Sequence, residues 1–196
     1  MSVTEDRSAV RGVFTRGRLA CGAMAGVTAW LAGYLVAYVW KAAEVSEALR
    51  GVGFVSQLLG GGSVPVWKGV SWLFLNAHFV DVRFPTVAGG SRMVNFVTGG
   101  DGPIALVAAP ALALAVAGAL VAYDRRGSLL DRATAGATVV AGYLPASVAV
   151  AFLATHALGD TGAAIAPDPV TGVLLAGLVY PVAFGALGGA ATAALD

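Results

Sequence analysis

Charge is scarce in this chain. Of its 196 residues only 12% are Asp, Glu, Lys or Arg, against about 25% in soluble domains. Fully 58% are hydrophobic and the mean hydropathy is +0.80. A soluble fold of this length has no interior large enough to hide so much apolar surface, so the soluble class is excluded. Net charge is +1, which removes the basic excess that nucleic-acid binding requires. Lysine is confined to Lys41 and Lys68. Cysteine occurs once, at Cys21, so an intramolecular disulfide is excluded. The surrounding "RLACG" looks like a lipoprotein cleavage box, but the "FTRGR" before it is charged rather than apolar, and no signal core precedes it. There is no phosphate-binding Gly-Lys-Ser/Thr loop and no G-x-S-x-G elbow. An ATP-driven motor is therefore excluded for this chain alone, and no catalytic or cofactor-binding set is assigned.

What is present is a series of long apolar runs. Leu19 to Trp40 carries no charge over 22 residues, and about 20 suffice to cross the hydrocarbon core. Three further runs are expected to span: 104–123, opened by Pro103, then 133–155, then 170–195. None of the four contains Asp, Glu, Lys or Arg. Ion-coupled carriers and proton pumps need such groups on their pathway, so that class is disfavoured. The expected fold is an all-α integral membrane protein forming a single domain, 1–196, with 1–18 as a cytoplasmic arm.

Orientation follows the basic residues. Arg7, Arg11, Arg16 and Arg18 precede the first run, and Arg125, Arg126 and Arg132 lie in the 124–132 loop. Four spans put these seven on one side, read as cytoplasmic, against five on the other; a fifth span at 64–80 would make the count six against six. Four spans with both termini cytoplasmic are therefore expected, in a cell membrane. Residues 41–102 then form an outer cap.

Within that cap, Val45, Leu49, Val52, Val55 and Leu59 recur every three or four residues over 42–60, the pattern of an amphipathic interfacial helix. "GGGSVP" at 60–65 ends it. "VWKGVSWLFLNAHFV", 66–80, is aromatic like a headgroup-level segment but too short to cross. It is predicted to be an interfacial or shallow re-entrant helix, with His78 close to the outer end of the third span. "VDVRFPTVAGGSRMVNFVTGG" reads as a small hairpin turning at Gly89-Gly90-Ser91.

Taken together, the Arg-rich start, the first span, "WKAAEVSEALRG", "PVWKGVSWLFLNAHFVDVR" and three plain spans resemble small uncharacterised multi-pass membrane proteins of halophilic archaea, some of them labelled transporter-like. The resemblance implies a cell-membrane protein of four or five spans. It carries over no catalytic or binding residue.

Three patterns qualify as candidate functional features. His78 with Asp81, and His156 with Asp160, pair at spacings of three and four in the echoing stretches "FLNAHFVD" and "FLATHALGD". Two His and two Asp have the donor chemistry for a divalent metal such as zinc at the outer face; the alternative is two histidines capping helix ends. Gly22/Gly26 and Gly185/Gly189 are GxxxG pairs, suited to packing within the chain or to a dimer face. Pro145 and Pro181 fall mid-span, as static kinks or as a solute-lining break.

The function these features point to is a small permease-like or transport-associated membrane protein, oligomeric, for an uncharged or weakly polar solute. The rival is a non-catalytic assembly or accessory subunit that binds a membrane partner through the 42–100 cap. A metal-dependent enzyme at the outer face is a third reading.

Overall fold

The computed structural model describes residues 16–86, 89–99, 103 and 105–195. It is mostly helical, and four helices are long and apolar enough to cross a membrane: Gly17–Leu58, Ala105–Ala122, Leu129–Leu153 and Pro169–Ala194. The chain divides into two compact units. One takes the residues up to Leu31, Ala111–Ala146 and those from Gly177 onward; the other takes Ala32–Pro110 and Ser147–Ala176.

The first unit is held together by glycine. Four helices contribute: α1 (Arg16–Leu58), α3 (Ala105–Ala122), α4 (Leu129–Ala137) running into α5 (Val140–Leu153), and α6 (Tyr180–Ala191). A β-carbon at Gly22 would meet Thr138, one at Gly26 the Val139 carbonyl, and one at Gly142 the Ala23 carbonyl. Gly136 faces Gly185 and Gly189, Gly118 faces Gly185, and Gly188 faces the Ala115 carbonyl. Both GxxxG pairs are thus used inside the chain, where small residues let helix backbones touch.

In this unit α4 begins earlier than the sequence reading placed it. Ser128 and Asp131 form a capping box: the Asp131 amide donates to the Ser128 hydroxyl oxygen, and the Ser128 amide donates to the Asp131 carboxylate at 2.8 Å. Arg132, expected in a loop, therefore lies in the first turns of the third helix. It is buried, and its Nη1 donates to the Thr192 carbonyl at 2.8 Å.

In the second unit, the expected interfacial helix at 42–60 is no separate element: α1 is one helix of 43 residues, about 64 Å long. Nothing between Trp40 and Gly51 breaks it. Lys, Ala, Glu and Leu are good helix formers, and Lys41 bridges Glu44 at 2.7 Å one turn on. Its buried face uses Val45, Gly53 and Ser56, with Leu49 and Val52 partly covered, while Val55 and Leu59 are exposed. The helix stops at Gly60, which takes φ +82°. Gly61 donates to the Ser56 carbonyl and Gly60 to the Gln57 carbonyl, a Schellman ending.

The aromatic stretch forms α2 (Val66–Asn76). Eleven residues make about 16 Å, half of the hydrocarbon core of about 30 Å, so it is no fifth span. The predicted hairpin is present as β1 (Val82–Pro85) and β2 (Ser91–Val94), with Val82 opposite Val94 and left-handed Gly89 and Gly90 at the turn. The fold is not purely helical, however. Two strands between the third and fourth apolar runs, β3 (His156–Ala157) and β4 (Ala164–Pro167), extend the hairpin into a sheet of order β2-β1-β4-β3, antiparallel throughout. Trp72, Val82, Ala154 and Ile165 form the core beneath it.

In the last long helix, Gly172–Val179 is π-helical and α6 begins at Tyr180-Pro181. In a π turn the carbonyl of residue 176 looks to the N–H of residue 181, which proline does not have. The Ser147 hydroxyl instead donates to the Ala176 carbonyl at 3.4 Å.

Candidate functional site

The four predicted metal ligands occupy separate settings in the second unit. His78 is fully buried, its Nδ1 donating to the Phe74 carbonyl at 2.7 Å and its ring packed edge-on against Phe74 at 4.9 Å. Burial pushes its pKa down to about 4 against the pull of the Phe74 bond, so the ring is neutral at pH 7. His156 lies on β3 opposite Ile165. Burial, and then the Lys68 charge, lower its pKa, and a hydrogen bond to the Gly62 backbone opposes them. Its Nε2 is buried without a hydrogen-bond partner. Asp81 accepts a backbone bond from Asp168 at 2.9 Å, and Asp160 is exposed beside Gly60. Among the described residues no three His, Cys, Asp or Glu side chains come together as a metal would need. The two echoing stretches end differently, one in a helix terminus and one in a strand.

What Asn76 and His78 do is local and structural. After α2 the backbone closes in a second Schellman motif, with Phe79 donating to the Asn76 carbonyl and Val80 to that of Leu75. The left-handed position usually given to glycine is held by Phe79, at φ 62°. Buried Asn76 locks it from the side: its amide donates to the Val80 carbonyl at 2.7 Å, and its oxygen accepts from the Phe96 amide at 3.0 Å. The start of α2 is tied to the end of the third long helix. Lys68 donates to the Thr155 carbonyl, and Trp72 Nε1 to that of Ala154 at 2.9 Å. It is Lys68 and Trp72 that make these bonds to the helix end, not His78, the residue expected close to it.

Recessed space lies elsewhere, between α1, α2 and the β1–β2 hairpin. A cavity of about 510 Å³ opens there, within the range of roughly 300–1,000 Å³ usual for ligand sites. Val45, Leu49 and Val52 line one side, Trp72 and Leu73 another, and Phe84 and Phe96 a third. Gly69 lets α2 lie against Val45 and Leu49. Three charged residues border it: Lys41, Glu44 and Arg92. Lys41 is buried, held by both Glu44 oxygens at 2.7 and 2.8 Å and 5.2 Å over the Trp40 ring. Arg92 is exposed, and its side chain has no ion pair or hydrogen bond among the described residues. The sequence carried half of this signal, the α1 face of Val45, Leu49 and Val52. The other walls come from residues far apart in the chain.

Four helices of membrane-crossing length and composition define the class, a mostly helical protein; one unit packs helix backbones on glycine, and the other holds a small antiparallel sheet and a recess of mixed apolar and charged lining. The chain belongs to the family of unknown function DUF7978, which it matches over residues 1–196. No curated protein and no solved structure matches it.

Proposed function

We propose that this is a multi-pass protein of the cell membrane, with four spans and both termini cytoplasmic, that acts as a transport-associated accessory subunit. It binds a hydrophobic or weakly polar ligand through the 41–103 region and does not itself conduct solute. What supports this reading is where space is found. The 510 Å³ recess lies among residues 41–103, whereas in the first unit glycines press helix backbones together. The uncharged runs 19–40, 104–123, 133–155 and 170–195 lack the ionisable residues on which coupled carriers depend, and buried Arg132 stands in the first turns of its helix rather than midway.

A second reading, a permease for small neutral solutes, draws on the π-helical Gly172–Val179 and on Pro110 and Pro145 inside helices, since broken helices line solute paths in transporters. Flux separates the two. Proteoliposomes under an osmotic gradient of glycerol, urea or a neutral amino acid should swell no faster than protein-free vesicles. A saturable rate increase that Gly26→Leu abolishes would establish the permease instead.

A further inference from the structure

We infer that the cavity between α1, α2 and the hairpin seats a membrane lipid with an anionic headgroup, its acyl chain in the recess and its anion on Arg92. The assignment deepens the binding role proposed above and rests on it.

The walls speak for a chain rather than a polar metabolite. Val45, Leu49, Trp72 and Phe84 offer only carbon to the recess apart from the Trp72 indole, whose N–H is already donated to the Ala154 carbonyl. A polar solute placed there would lose its hydration without gaining partners, at a cost of a few kcal/mol per group. The border speaks for an anion. Lys41 and Glu44 neutralise each other through two short bonds. That leaves Arg92 as the bordering charge without a counter-ion among the described residues. A guanidinium binds phosphate with a fork of parallel N–H donors.

Position speaks for a lipid rather than a free ion. Lys41 is the first charge after the uncharged run Leu19–Trp40, and Trp40 stands beside it. Tryptophan next to a lysine at the end of such a run marks headgroup depth. A recess bordered by Lys41 therefore meets the bilayer where headgroups lie and chains begin.

The test uses the full-length protein, delipidated in detergent and offered phosphatidylglycerol or phosphatidylcholine with the same acyl chains, followed by native mass spectrometry. Wild type should retain phosphatidylglycerol at least about tenfold better than phosphatidylcholine, since one charge-assisted pair is worth a factor of that size. Arg92→Gln, on an exposed strand position, should erase the preference and leave the thermal midpoint unchanged. Ala48→Trp, which fills the cavity from an exposed site on α1, should lower retention of both lipids. Equal retention of the two lipids by wild type would overturn the anion assignment. Undiminished retention in a folded Ala48→Trp protein would overturn the site. Displacement by millimolar inorganic phosphate alone would show that a free anion, not a lipid, is the ligand. Liposome flotation separates the underlying reading: protein that fails to insert into vesicles of either lipid removes the membrane premise, while inserted protein without lipid preference removes only the ligand.

Discussion

His78 shows how a residue that reads as functional in a sequence becomes structural once its neighbours are known. A lone histidine three residues before an aspartate resembles half a metal site, yet the ring is fully buried on the Phe74 carbonyl. Its pKa is lowered to about 4, so the folded state binds no proton between that value and the unfolded 6.5, where the unfolded chain does. Stability is then complete above pH 6.5 and falls as pH drops toward 4, by on the order of 3 kcal/mol in total. Thermal midpoints of wild type and His78→Gln between pH 7 and 4 should show the wild type losing more; parallel curves would contradict the assignment. Phe79 gave no warning at all. A left-handed conformation is invisible where the residue is not glycine, and here Asn76 imposes it through bonds to Val80 and Phe96. Phe79→Gly should raise stability by about 1 kcal/mol, and Gly60→Ala at the matching end of α1 should lower it by a similar amount. A destabilised Phe79→Gly would mean that the ring's packing outweighs the backbone strain.

At the level of elements, the apolar runs were legible because hydropathy and length decide them locally. Their ends were not. The first helix passes through Lys41 and Glu44 because nothing there stops a helix, although the charges mark where the uncharged run ends. Residues 156–157 and 164–167 lack the alternation of strands, and pair only because β1 supplies an edge. The glycine pairs were legible as contact surfaces, and the structure supplies their partners. Gly26→Leu or Gly185→Leu would drive a side chain into the Val139 or Gly136 backbone. Each should cost at least about 2 kcal/mol in a denaturant or heat titration. Gly17→Leu, which meets nothing within 4 Å, should cost almost nothing. Equal tolerance at all three sites would mean that these seams do not hold the helices.

For the whole molecule, the proposed arrangement is four helices crossing a bilayer, with the basic N-terminal arm and the 124–128 turn on one side. Composition alone carried that expectation, because bilayer solvation acts on every residue of a run at once. The sheet, the cavity and the interior place of Arg132 depend on contacts between distant segments, which no local pattern encodes. The most direct measurement is cysteine accessibility in intact cells, on a Cys21→Ala background with single cysteines at exposed Ser91, Thr161 and Ser128. An impermeant maleimide should label positions 91 and 161 from outside, and position 128 only after permeabilisation. Labelling of position 128 from outside, or of all three alike, would contradict the four-span arrangement.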